Sequence, residues 1–274
     1  MIADSADPGP VSSLCARLLY LARCGIWFLG RPQLYPELLR KVVKNLRRFG
    51  KRSGEAEERV QARRWCTQIS VDTRAAIEIL TGNRDVESFY SRFAREVAKS
   101  TEAVARCPVR MGGRANLDLI YHLAEHVQAK RVVETGVAYG WSSLSFLLSL
   151  DKRDGACLVS TDMPYLLLRD AARYVGCAVP EELRRKWTLI RLADREALPR
   201  ALRRLGWIDM CHYDSDKTYE GRMWAYRRLW EALRGGGIFL SDDVSDNLAF
   251  RSFCEEVGLR PVVVEARVGV LVKP

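Results

Sequence analysis

The chain reads as an α/β protein: a doubly wound, mostly parallel seven-stranded sheet with a C-terminal antiparallel hairpin, preceded by a helical N-terminal extension. Three observations predict this. After residue 129, short β-branched runs alternate with amphipathic stretches, the pattern of strands joined by crossover helices. The last two of those runs have only a tight connection between them, as an antiparallel pair requires. Residues 1–110 instead carry helix-period segments, so the chain divides into a helical, basic region over 1–110 and a sheet-forming domain over 111–274.

Taken in order, the first apolar run, 11–29, is interrupted by Arg17 and Arg23 and is barely long enough to span a bilayer. Asp4 and Asp7 precede it and Gly30-Arg31-Pro32 follows, which is not the layout of an export signal. In the stretch 36–49, PELLRKVVKNLRRF, apolar residues recur three and four apart and basic ones fill the other face. This cationic amphipathic helix has two readings: docking on the sheet domain or a second subunit, or lying on an anionic membrane surface. Residues 50–58 read as a linker, and 62 to about 104 as two or three further helices. His122 and His126 stand four apart on the helix ANLDLIYHLAEHVQ, without a third ligand type nearby, and read as surface or packing residues.

The net charge of +10 raises the question of a nucleic-acid partner, but its distribution argues against one. Residues 1–66 hold 13 Lys and Arg against 6 Asp and Glu, so most of the excess is N-terminal, and no aromatic and basic residues interleave as a stacking surface would need. The 8 cysteines include no CxxC pair, which suggests neither a zinc site nor a disulfide framework and fits a reducing cytoplasm.

The expected strands are 131–134, 157–161, 188–191, 208–213, 237–241, 261–264 and 268–272. In such sheets ligands bind at the carboxyl ends of the strands. The first end reads ETGVAYGWSS: Gly136 and Gly140 allow a tight turn and close approach of a ligand, and Ser142 or Ser143 can cap the next helix. The spacing is not the G-x-G-x-x-G of dinucleotide enzymes. Asp162, at the second end, is placed to accept from two ribose hydroxyls. Asp194, at the third, either receives an adenine amino group or caps a helix. The fourth strand ends in Asp214 and the fifth in Asp242 and Asp243. Three carboxylates at adjacent strand ends repel unless protonated or bridged by a cation, and all-oxygen ligation suits magnesium first, then manganese or calcium.

From about residue 112 to 273 the chain resembles the class I S-adenosylmethionine-dependent methyltransferases. ETGVAYG is similar to that fold's first motif and RGGGIFLSDDV to its strand after the usual glycine turn. Within that class, Asp214 with Asp242 and Asp243 resembles the metal triad of the cation-dependent O-methyltransferases, the macrocin-type sugar, catechol and caffeoyl-CoA enzymes. The resemblance implies a Rossmann-like domain in which Glu134, Gly136 and Gly140 hold the methionine part and sugar of S-adenosylmethionine. It further implies Asp162 on the ribose, Asp194 on the adenine, and Asp214, Asp242 and Asp243 on a divalent cation, magnesium first. For the base it offers Asp216, as in the sugar enzymes, or Lys217, as in the catechol enzymes, where many relatives have histidine. Residues 1–110 resemble no family.

Tyr219, Met223, Tyr226, Trp230 and Leu233 repeat at helical spacing and read as core; Trp224, Arg222 and Tyr139 fall off that stripe and could line an acceptor pocket. The expected function is metal-dependent methylation of a hydroxyl on a sugar, glycan precursor or secondary metabolite, by a cytoplasmic enzyme whose basic N-terminus makes a peripheral membrane contact. A homo-oligomer is compatible with this reading. The competing readings are an inactive donor-binding or scaffold protein at a membrane surface, and an RNA-binding methyltransferase.

Overall fold

The computed structural model describes residues 14–48, 54–166 and 171–274. Their strands are β1 (Ser70–Val71), β2 (Arg131–Thr135), β3 (Cys157–Thr161), β4 (Trp187–Ile190), β5 (Ile208–Tyr213), β6 (Leu233–Ser241), β7 (Val262–Val264) and β8 (Val268–Val272). They form one sheet in the order β1-β7-β8-β6-β5-β2-β3-β4. All neighbours run parallel except β8, which is antiparallel to both β6 and β7.

The expected alternation is therefore present, with one strand more than the seven read from the sequence. The addition is β1, whose Ser70 and Val71 pair with Val263 and Val264. Two residues leave no periodic trace, so its placement comes from tertiary contacts.

The helices are α1 (Leu14–Leu29), α2 (Tyr35–Arg48), α3 (Gly54–Gln68), α4 (Thr73–Thr81), α5 (Phe89–Arg92), α6 (Ala94–Ala105), α7 (Leu117–His126), α8 (Trp141–Leu150), α9 (Ala171–Tyr174), α10 (Asp194–Leu205), α11 (Tyr219–Ala232) and α12 (Ala249–Val257). Of the expected linker, 50–53 lie outside the described residues, whereas 54–58 open α3. Glu55, Glu57 and Glu58 favour a helix start, because carboxylates complement the positive end of the helix dipole.

Alternation along each strand divides the core between the two faces of the sheet. Val132, Leu158, Met210, Ile238 and Leu240 point into one layer with α7 and α8, which Ala76, Ile77 and Phe89 of the N-terminal third join. Val133, Val159, Cys211, Phe239 and Leu271 point into the other with α10, α11 and α12, joined by Cys66 of α3. A third, smaller cluster docks Phe28 and Leu34 on Leu192 and Ala197, and Arg40 of α2 bonds Glu196 of α10 at 2.6 Å. No helix among the described residues is long and apolar enough to cross a membrane.

Gly269 of β8 is set by this packing. A Cβ there would stand 2.2 Å from the Phe250 ring, which is fully buried and has no free direction in which to move. Gly269→Ala should therefore lose about 1–3 kcal/mol, as overpacked core positions do, seen as a lower denaturant midpoint at unchanged slope.

Candidate active site

The loop after β2 is tied to the ends of both neighbouring strands. Gly136, at φ 80°, donates its N–H to Thr161 O (2.8 Å), while Asp214 N donates to Thr135 O (2.9 Å). A Cβ on Gly136 would lie 2.1 Å from the Asp214 carbonyl oxygen, so only glycine fits between β2 and β5. Gly140, at φ 88°, has the same constraint from another side: its Cβ would meet Gly176 Cα at 2.9 Å. The neighbouring chain thus dictates both glycines.

Glu134 has no accessible surface. Its Oε2 accepts from Ser143 Oγ (2.5 Å) and Ser160 Oγ (2.6 Å), and Trp187 Nε1 donates to Ser160 Oγ. The carboxylate thus braces the loop through Oε2, while its Oε1 is buried without a hydrogen-bond partner among the described residues. Ser143 is spent on Glu134, and contrary to expectation neither serine caps α8: its N-cap is Gly140, with no side-chain bond.

Asp162 lies beyond the end of β3, where burial above all, partly opposed by Arg191 and the Val137 N–H, pushes its carboxyl up to about 7. Its Oδ2 is 3.3 Å from Arg191 Nη1, yet both atoms are buried without a hydrogen-bond partner. Asp194 is the first residue of α10 rather than its cap, which is Ala193. Its Oδ2 accepts from Ser215 Oγ (2.5 Å) and Tyr213 Oη (3.4 Å), and burial pushes its carboxyl up to about 6.

The three expected carboxylates do converge. Lys217 Nζ contacts Asp214 Oδ1 and lies 3.0 Å from Asp243 Oδ2. Arg267 Nε lies 2.9 Å from Asp242 Oδ1 and 3.0 Å from Asp243 Oδ1. Burial lowers the Lys217 pKa, but Asp214 and Asp243 outweigh it and keep the ammonium protonated. Burial likewise raises Asp243, and Lys217 and Arg267 override it and hold that carboxyl well below its usual range. Asp216 is exposed; its Oδ1 accepts from Thr218 N (2.9 Å) at the start of α11.

Two residues that organise this cluster escaped the sequence reading. Arg222, expected to line a pocket, is 1% exposed; it donates to the carbonyls of Asp242 (3.0 Å) and Asp243 (2.9 Å), holding the turn that carries both acids. Asp243 there has left-handed φ, 52°, which an aspartate tolerates better than most residues. Arg267 comes from the β7–β8 turn, 24 residues beyond Asp243, with no motif to mark it. The other two expected pocket residues are engaged elsewhere. Tyr139 is buried and donates to Val109 O (2.8 Å), and Trp224 lies between Arg195 and Arg228.

Residues 133–244, which hold every strand end just described, match the family model for a methyltransferase domain. Over those residues the chain is similar to methyltransferase domains. An O-methyltransferase from Bacillus cereus, solved in complex with SAH, superposes with a TM-score of 0.50 at 13% identity over 76% of this chain and 100% of that one. An O-methyltransferase involved in tomaymycin synthesis from Streptomyces achromogenes, solved with SAM, gives 0.50 at 17% identity over 73% and 97%. An SAH-bound methyltransferase from Podospora anserina gives 0.50 at 15% over 82% and 97%. At these identities the likeness is one of fold alone. No curated protein matches the chain.

The residues at these strand ends suit one of the two groups that the resemblance implies and not the other. For the methyl donor the residues fit: Asp162 Oδ2 is buried beside the glycine turn and an uncapped helix N-terminus, ion-paired with Arg191 at 3.3 Å but accepting no hydrogen bond among the described residues. For a divalent ion they do not. One oxygen each of Asp214 and Asp242 and both of Asp243 are engaged by an ammonium and a guanidinium, and among the described residues no three acidic, histidine or cysteine side chains form a metal-holding group. A cavity of about 390 Å³ opens beside Asp242 and Arg267, bounded also by Thr73, Tyr90, Arg114 and Asn116.

If Asp162 accepts from the donor as a carboxylate, its raised pKa makes binding pH-dependent. Affinity should rise about tenfold from pH 6 to 8, since the ionised fraction grows through about 7. Asp162→Asn should flatten that difference in calorimetric titrations. The linked stability effect has the opposite sense: a carboxyl raised on folding costs stability above its folded pKa, and the cost fades as pH falls toward the unfolded value. The Asn variant should therefore gain stability relative to the parent at pH 8 and not at pH 4.

Proposed function

We propose that the protein transfers a methyl group from S-adenosylmethionine to a hydroxyl of a polyhydroxylated small molecule: a sugar, a glycan precursor or a secondary metabolite. The observation that carries the donor half is the buried Asp162 Oδ2, which faces Arg191 at 3.3 Å yet accepts no hydrogen bond among the described residues. A buried acceptor without a donor is costly, and the two hydroxyls of a ribose are the donors a nucleoside brings. Asp194 would take the adenine side, and the first turn of α8 would meet the donor's carboxylate. When bound, the donor supplies an electrophilic methyl on a positively charged sulfur.

The acceptor half rests on the cavity beside Asp242. Its walls alternate donors and acceptors, Arg114, Asn116 and Arg267 with Asp118, Asp242 and Glu265, and Tyr90 adds an aromatic face. Such a lining suits a ligand with several hydroxyls better than a flat apolar ring. An alcohol oxygen attacks only as its proton becomes easier to lose, so the site must stabilise negative charge on oxygen and take up a proton. Lys217 is held protonated, which leaves the proton to a carboxylate; Asp216 is our assignment. We assign the expected divalent cation no part in these steps, because Lys217 and Arg267 already pair with Asp214, Asp242 and Asp243.

The expected N-terminal membrane contact also gains support. Part of α1 and α2 docks on the domain, while Leu19, Ile26, Leu29, Leu39 and Val42 stay exposed, with basic Arg23 and Lys41 beside them. An apolar stripe flanked by positive charge suits an anionic bilayer.

Calorimetry should detect one donor molecule per chain. A screen of sugar and polyketide alcohols should yield methyl ether products, with Asp216→Asn lowering kcat about 10²-fold or more; absence of donor binding would refute the reading. In flotation, the full chain should rise with vesicles containing phosphatidylserine and stay behind with neutral ones, and Leu39→Glu with Val42→Glu should abolish the difference.

A further inference from the structure

Three like charges at neighbouring strand ends must be compensated, and this chain does so with its own side chains. Asp243 is the shared member: Lys217 holds its Oδ2 and Arg267 its Oδ1. The groups thus link in the order Asp214, Lys217, Asp243, Arg267, Asp242.

Both cations are delivered by braced backbone. Lys217 offers its carbonyl to Asn247 Nδ2 (2.8 Å), within the loop that follows the acid pair. Arg267 follows a two-residue turn, Glu265 and Ala266, with left-handed φ of 51° and 52°, unusual for residues that are neither glycine nor asparagine. Such strain persists where the surroundings over-determine it. Here β1 does so: Ser70 Oγ accepts from Ala266 N (2.7 Å) and Val71 O from Glu265 N (2.9 Å), while Thr73 Oγ1 donates to Glu265 Oε1 (2.7 Å). Arg267 O then accepts from Val244 N (2.9 Å), directly after the acid pair. The extra strand and its turn thus aim a guanidinium at Asp242 and Asp243.

From this geometry we infer that Lys217 and Arg267 take the place of a divalent ion in the carboxylate cluster, so that methyl transfer runs without a metal. The role in transfer rests on the reading in the preceding subsection; the occupancy of the cluster does not. In the step, the acceptor oxygen forms a bond to the methyl carbon, and the carbon–sulfur bond breaks with its electron pair passing to sulfur. The hydroxyl proton goes to a carboxylate and on to solvent, so no oxidant, reductant or ion is consumed. The fixed positive charge of the pair stabilises the developing negative charge on oxygen. A dication entering among them would meet an ammonium and a guanidinium at close range.

The test is a manganese titration of the full chain, read by electron paramagnetic resonance and calorimetry. The parent should show no saturable site up to about 1 mM, the weak end of protein sites for hard cations. The Lys217→Met, Arg267→Gln variant, checked for native circular dichroism, should take up one manganese at least tenfold more tightly. Should the double variant not fold, Arg267→Gln alone serves, since that side chain is 49% exposed and its loss leaves the core intact. Stoichiometric manganese on the parent overturns the inference, and so does a folded variant that still ignores the ion. Donor calorimetry on the same preparation separates the two readings: donor binding together with manganese uptake removes only the cationic pair, and manganese silence without donor binding removes only the transfer.

Discussion

Repulsion among Asp214, Asp242 and Asp243 is the constraint around which this molecule is arranged. The parallel sheet brings the ends of β5 and β6 side by side, with Tyr213 in register with Ser241, so acids that follow those strands cannot avoid one another. Charges that close need fixed partners or a shifted protonation state. Lys217 and Arg267 pair with the carboxylates, and Arg222 donates to the backbone carbonyls of Asp242 and Asp243. Acidic side chains toward the cleft and a buried guanidinium on their backbone give the turn a defined shape.

The N-terminal third takes part in that arrangement. Cys66 of α3 lies in the core layer beneath α11 and α12, and Glu58 of the same helix accepts from Leu248 N in the loop beyond Asp243. β1 and the start of α4 secure the turn that carries Arg267. The N-terminal third therefore supports the acid cluster from the side opposite the glycine turn.

Much of the sheet and of the strand-end chemistry was legible in the sequence, for physical reasons. Buried parallel strands need continuous β-branched runs, and ETGVAYG and LSDDV declare turns that few other residues could form. What stayed hidden depends on contacts between distant segments. Ser70-Val71 is too short for a period, and Gly54 at the head of α3 looks like a loop glycine until the carboxylates after it are weighed. Arg222 sat on a helix otherwise read by its apolar stripe, where its charge suggested a pocket lining; only the fold shows that it is buried. Arg267 could not be paired with Asp242 from spacing alone, since the hairpin turn that brings it there has neither the glycine nor the asparagine that would normally mark it. The charge balance of the cluster stayed hidden for the same reason: three acids were visible, and the cations that engage them were not.

The two-residue β1 also shapes how copies of this chain can meet. Without it β7 would form the border of the sheet, with a row of backbone donors and acceptors able to recruit a strand from another molecule. Ser70 and Val71 cover that row and present in its place a stub too short to template a ribbon. On this flank the sheet therefore offers little backbone to which a strand of another molecule could add.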